Sequence, residues 1–278
     1  MIQDIGPYKF HNEYNPEPPT PESYALYYEG GQVFLNKNDD VIDFLRFHDL
    51  EEHFPECYEN YTYLFSIDGE HYYLLDQIDK EWFPEFCLES KEVFRSTTPQ
   101  HKSFAGITGY HLYRWYESNR FCGKCGGRME KSDKERMLFC KQCHHMVYPK
   151  LSPAVIIGVI DGDRIMMTKY AHHIYKKYAL VAGYSEIGET LETTVAREVM
   201  EEVGLKVKNI RYYKSQPWAF SESLLMGFYC DLDGDDTVTL DENELALGKW
   251  FTRDEIPVVD NYASLTNEMI MRFKNGLE

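Results

Sequence analysis

Glu198, Glu201 and Glu202 stand at i, i+3 and i+4 within GYSEIGETLETTVAREVMEEVGL, residues 183–205, and no other stretch limits the fold of this chain as much. On a helix the three carboxylates share one face, where like charges at that spacing are destabilising. Val195, Val199 and Val203 recur every four residues and give the same helix an apolar stripe to lay on a sheet. Thr190 to Thr193 reads as its N-terminal cap region and Gly204 as its C-terminal stop. A helix packed on one side and crowded with acids on another needs a cation. Carboxylate oxygens suit hard divalent ions, and Mg²⁺ takes one or two carboxylates, several waters and substrate phosphates. The spacing points to metal-assisted chemistry at phosphate.

The rest of the chain is compatible with such an enzyme. Its 278 residues, 43% hydrophobic and 15% aromatic, suffice for one large or two ordinary packed domains and exclude a disordered chain. A formal charge of −17 argues against broad, non-specific nucleic-acid binding, which needs basic surface. Phosphate substrates stay open, because a bound metal reverses the local field. Residues 119–150 run against the trend, with eight Lys or Arg against three acids, a balance of +5. That island is either a landing surface for an extended polyanion or a solvated face. No apolar run approaches the ~18 residues of a membrane span, and MIQDIGPYKF lacks the pattern of a signal peptide. The expectation is a soluble, cytoplasmic protein without membrane contact.

Three segments are expected: a small mixed α/β domain at 1–118, a cysteine-bearing unit at 119–150, and an α/β domain at 151–278. In the first, Tyr61–Ile67 and Tyr72–Leu75 read as a hairpin across Asp68-Gly69. A helix is expected from about Phe104 to Ser118, with Leu112, Trp115 and Tyr116 near its apolar side. In the third, strands are expected at Ala154–Ile160, Arg164–Lys169, Tyr178–Ala182, Val207–Lys214, Leu224–Asp231 and Thr237–Leu240. A His- and Lys-rich loop follows Lys169, and a helix over about Ser264–Lys274 closes the chain.

Cys122, Cys125, Cys140 and Cys143 form two Cys-x2-Cys knuckles with fourteen residues between them. Four thiolates so spaced can close a tetrahedral Zn²⁺ site, and a full coordination sphere makes that zinc structural. Disulfides are the competing reading, and a reducing compartment disfavours them. His144 and His145 are potential substitutes as ligands, or members of the loop leaving the site.

Gly183, Glu189, Arg197-Glu198-Val199, Glu201-Glu202 and Gly204-Leu205 stand at the spacings of the Nudix box, and the chain resembles the Nudix hydrolases. Gly183 is read as easing the turn from strand into loop, and Arg197 as holding the acidic cluster through Glu189. Downstream, Ser215-Gln-Pro-Trp-Ala-Phe-Ser-Glu-Ser223 resembles the SQPWPFPxS signature of the NADH pyrophosphatase branch, with Ala219 and Ser221 each replacing a proline. The four-cysteine ribbon and Tyr148-Pro149 also resemble that branch.

The resemblance implies an α+β, α-β-α sandwich with a mixed sheet: a Nudix fold preceded by the ribbon and the small N-terminal domain. It implies hydrolysis of the pyrophosphate of NAD(H) to nicotinamide mononucleotide and AMP, and removal of the NAD cap from RNA 5′ ends. The alternative is another nucleoside diphosphate derivative such as ADP-ribose. By the same resemblance Glu198, Glu201 and Glu202 hold Mg²⁺ or Mn²⁺, and Glu201 or Glu202 orients the attacking water. Glu244 joins them in metal binding or base chemistry. Tyr148, Ile156, Tyr184, Gln216, Trp218, Ser221 and Ser223 would contact substrate, and aromatic stacking is worth ~1–3 kcal/mol per base. A homodimer is implied, with Trp218 and Ser221 reaching a partner's site.

Overall fold

The computed structural model describes residues 1–171, 177–259 and 264–278. They form two compact units, one of Met1, 151–218 and 223–278, the other of 2–150 and 219–222.

The unit built from residues 2–150 is organised on an eight-stranded sheet. It includes β1 (Tyr24–Glu29), β2 (Gln32–Asn38), β3 (Tyr61–Ile67) and β4 (Glu70–Leu75), with β1 parallel to β4. The expected β3–β4 hairpin forms. Asp68 and Gly69 take φ of 47° and 83°, and two left-handed residues in a two-residue loop match the right-handed twist of the strands. The helix α1 spans Gln100–Ser118, four residues longer at its start than the apolar pattern shows, because Pro99 sets the N-cap. Leu112 and Trp115 are buried and Tyr116 is half-buried. The cysteine unit carries β5 (Met129–Lys131), β6 (Leu138–Cys140) and β7 (Met146–Val147) as an antiparallel sheet packed on Trp115.

The other unit has a six-stranded mixed sheet. Its strands are β8 (Ser152–Asp161), β9 (Arg164–Tyr170), β10 (Val181–Tyr184), β11 (Val207–Trp218), β12 (Ser223–Leu232) and β13 (Leu245–Thr252). The order is β11-β12-β8-β9-β13; β10 pairs with β8 near its start, and β8 and β12 run parallel. Alternation along β8 divides the core. Val155, Ile157 and Val159 join a cluster with Val195, Val199 and Val203 of α2 (Leu191–Val203). Ile156 and Ile160 join a second cluster with Leu265, Met269, Ile270 and Phe273 of α3 (Leu265–Lys274). The sheet lies between two helices, the sandwich expected. No helix among the described residues is long and apolar enough to cross a membrane.

Three expectations need correction. Thr237–Leu240 is not a strand; the strand is Leu245–Thr252, which went unrecognised. A Cβ at Gly248 would lie 2.6 Å from Leu240 and 3.4 Å from Val238, so the 237–240 segment lays its side chains over the strand that contains Gly248. The β10 strand begins at Val181 rather than Tyr178, and Ala179 contributes only a bridge to Thr168. The strand expected to end at Lys214 does not, since β11 runs on to Trp218, where Trp218 pairs with Ser223. The His- and Lys-rich loop falls largely on 172–176, outside the described residues.

Candidate active site and metal centre

Gly183 lies in β10, one residue before its end, against Glu198 of α2. A Cβ built there would lie 1.9 Å from the Glu198 carboxyl carbon and about as near both of its oxygens. The glycine is needed for this approach, and its φ is not left-handed, so its role is room rather than a turn. Glu198 and Glu202, one helical turn apart, are both buried, while Glu201 between them is exposed. Glu244 lies in the turn that leads into β13, not on a helix, and its backbone carbonyl accepts from Ala171 N–H at 2.9 Å.

The electrostatics show which acids face one another. Burial, then the charges of Glu198, Glu244 and Asp241, push the Glu202 carboxyl up to about 8. Burial also raises Glu198, with Glu201 and Glu244 adding to it against the pull of Arg197. Three carboxylates from two elements thus crowd one field, Glu198 and Glu202 from α2 and Glu244 from the turn before β13. Asp241 adds to that field and was not singled out from sequence, because nothing in its spacing links it to α2. Glu202 Oε2 is buried without a hydrogen-bond partner. An acceptor so placed costs free energy unless a cation or proton meets it. Carboxylate oxygens are the donor type that a hard divalent ion takes.

Arg197 organises the other side of the cluster. Its Nε donates to Glu189 at 2.7 Å and Nη2 to the same carboxylate at 2.9 Å, a two-point grip. Nη2 also donates to the Tyr184 carbonyl at 3.0 Å, and Nη1 to Glu198 at 2.8 Å and Glu201 at 2.9 Å. Glu189 further accepts from Glu186 N–H and the Thr194 hydroxyl. Held chiefly by Arg197, it sits at about 2. The loop 184–189 and the start of the acidic face are therefore one network, with Glu201 on its solvent side.

Of the residues expected to touch substrate, Tyr184 and Ser223 meet, their hydroxyls 3.1 Å apart. Gln216 is fully buried and accepts from Leu265 N–H at 2.7 Å, so it ties β11 to α3. Ile156 lies in the core on the α3 face. Trp218, half-buried, ends β11; Ser221 is exposed in the short 3-10 turn 219–221. Tyr148 is exposed, with its hydroxyl donating to Glu135 at 3.2 Å.

The four cysteines converge. Their sulfur atoms all lie within 4.8 Å of one another, the only such cluster of potential ligands among the described residues. Cys122 and Cys143 sulfurs stand 3.5 Å apart, as do those of Cys125 and Cys140. That is far beyond a sulfur–sulfur bond and near the edge of a tetrahedron with Zn–S of about 2.3 Å. The knuckles match in backbone: Gly126 and His144, each just after a knuckle, have φ of 75° and 55° and donate N–H to Cys122 and Cys140 carbonyls. His144 is a turn residue and not in the ligand cluster. The basic island is partly spent on structure: Lys131 donates to Thr62, and Arg136 to Asn12 at 2.6 Å and to the Leu64 carbonyl.

Comparison with known proteins places these features. Residues 150–273 match the NUDIX domain, and 117–148 match the NADH pyrophosphatase zinc ribbon domain. The NAD-capped RNA hydrolase NudC of Photorhabdus laumondii is 38% identical over 162 residues, 58% of this chain and 63% of that protein. Its namesake from an Enterobacter species is 40% identical over 162 residues, 58% of this chain and 62% of that protein. The alignment thus spans less than two thirds of either relative. A crystal structure of a NUDIX hydrolase from Nitrosomonas europaea is 25% identical with a TM-score of 0.49, covering 56% of this chain and 90% of that one.

Proposed function

We infer that this chain, whose residues 150–273 match a Nudix domain that follows a ribbon of the NADH pyrophosphatase type, hydrolyses the pyrophosphate of NAD(H) to nicotinamide mononucleotide and AMP, and by the same cleavage releases nicotinamide mononucleotide from NAD-capped RNA, leaving a 5′-monophosphate. The observation that carries this reading is the buried, partnerless Glu202 Oε2 beside Glu198 and Glu244. The relatives named as NAD-capped RNA hydrolases support the choice of substrate.

Glu198, Glu202 and Glu244 would hold Mg²⁺ or Mn²⁺, with Glu201 at the rim. When bound, the ion supplies a water of lowered pKa and screens the diphosphate charge. Glu201 or Glu202 would orient that water, Glu202 once the ion has displaced the proton that burial and its acidic neighbours hold on it in the metal-free state. Arg197 keeps one oxygen each of Glu198 and Glu201 oriented, and its hold on the Tyr184 carbonyl fixes the strand end that bears the Tyr184 ring. Tyr184 and Trp218 supply flat surfaces for a base, and the Tyr184–Ser223 hydrogen bond limits rotation of the first. Tyr148, Ile156, Gln216 and Ser221 belong to the same substrate assignment, Ile156 and Gln216 through the packing beneath it. Structural Zn²⁺ belongs to the four cysteines. A cytoplasmic location belongs to this reading too, and a reducing compartment would keep Cys57, Cys87 and Cys230 as thiols beside the four zinc ligands. A homodimer belongs to this reading as well.

Incubation with Mn²⁺ and, separately, NADH, ADP-ribose and NAD-capped RNA, with products resolved by chromatography, tests it. The expected result is reduced nicotinamide mononucleotide and AMP from NADH, and a 5′-monophosphate RNA from the capped substrate. Cleavage of ADP-ribose alone would replace the substrate assignment, and no cleavage of any would sink it.

A further inference from the structure

The four residues between Trp218 and Ser223 belong to the unit built from residues 2–150, although the strands they join belong to the other. Within that unit they are held by four cations from three places in the sequence, the 3-10 turn Lys91–Arg95, α1 and Lys150. Lys91 Nζ donates to the Phe220 carbonyl at 2.6 Å. The Arg95 guanidinium lies 4.0 Å from the centre of the Phe220 ring. Arg114 of α1 and Lys150 each stand 3.8 Å from a Glu222 carboxylate oxygen. Ala219 and Phe220 are buried. Glu222 has φ of 57°, a left-handed conformation that a glutamate adopts only when its surroundings impose it.

This grip has a chemical consequence. The tip is continuous with Trp218 on one side and Ser223 on the other, and those two residues are paired across the hairpin. A connection of four residues with no proline has conformational freedom to lose, and each outside contact removes some of it. We propose that Lys91, Arg95, Arg114 and Lys150 are positioning residues that fix the 219–222 tip, and through it hold Trp218 and Ser223 in the arrangement that binds the dinucleotide. This assigns a role in substrate binding to the N-terminal segments. It rests on the reading that the chain cleaves NAD(H) and that Trp218 and Ser223 face the substrate.

Two readouts test it on the full-length protein. The double variant Lys91→Met with Arg114→Gln removes one hydrogen bond and one ion pair while keeping side-chain bulk. Its KM for NADH should rise about tenfold with kcat within about twofold of wild type, since only binding geometry is lost. Amide exchange across 216–223 should quicken about tenfold, because two of the four contacts that close the tip are gone. The charge-keeping pair Lys91→Arg with Arg114→Lys should restore most of both. Glu222→Gln serves as a second variant should the double fail to fold, and Glu222→Asp as its rescue, since aspartate keeps the charge and tolerates a left-handed backbone. Unchanged exchange in a folded variant overturns the proposal. Faster exchange with unchanged KM overturns the link to substrate. A wild-type chain that cleaves no dinucleotide defeats the functional reading instead, and the exchange measurement still decides whether these cations fix the tip.

Discussion

An alanine at Gly183 would put its methyl carbon 1.9 Å from the Glu198 carboxyl carbon. The clashing atoms are the end of the Glu198 side chain, which must swing away, so Gly183→Ala should displace that carboxylate and depress kcat/KM for NADH by about a hundredfold or more. A Mn²⁺ titration of the same variant should show weakened binding. Normal binding and turnover would mean Glu198 is not where the chemistry is. Glu202 gives a second prediction, with a sign that depends on pH. Its carboxyl sits at about 8 when folded, against an ordinary 4.5. The metal-free folded state therefore keeps a proton that the unfolded chain releases. Its stabilising effect is full below pH about 4.5 and is lost as pH climbs through 8. Glu202→Gln lacks this dependence. In chelator-treated protein it should unfold at a higher temperature than wild type at pH 9 and gain little at pH 5, while turnover with metal is abolished.

At the scale of the element, α2 is the part most fully legible in the sequence. Thr190 accepts from Thr193 N–H at 3.2 Å, Gly204 ends the helix at φ 71°, and Val195, Val199 and Val203 are wholly buried, all as the residue pattern implies. Thr190→Ala should cost about 1 kcal/mol in denaturant unfolding, the usual worth of such a cap. The strand Leu245–Thr252 escaped notice for a physical reason. LALGKWFT breaks period-two alternation with Gly248 and Lys249, and Gly248 is there to admit Leu240, a contact distant from any local signal. The same holds for the site. Glu198, Glu201 and Glu202 were legible because one helix carries them, whereas Asp241 and the burial that raises Glu202 arise only when the 237–244 segment folds back. The residues at 215–223 were legible as a motif but not as a strand end. Pro217 and the turn-like Ala219–Ser221 mask a β11 that continues to Trp218.

For the whole molecule, the two units make separate demands. The ribbon has a small core of Trp115, Cys122, Met129, Leu138 and Cys140, too little to hold four clustered thiolates together without a metal. Zinc removal with a strong chelator, or Cys140→Ser, should expose the remaining ribbon thiols to a thiol reagent and lower the unfolding temperature. Unchanged thiol reactivity would argue against zinc. The mutual crowding of Glu198, Glu202 and Glu244 makes a divalent ion the natural partner of the acidic face in the other unit. The central claim is that this face splits a phosphoanhydride with water, and cleavage of NADH in ¹⁸O-labelled water with Mn²⁺ tests it most directly by mass spectrometry. One heavy oxygen in the phosphate of AMP or of reduced nicotinamide mononucleotide is the predicted result. Intact NADH, or cleavage at the nicotinamide–ribose bond in place of the anhydride, would contradict the account.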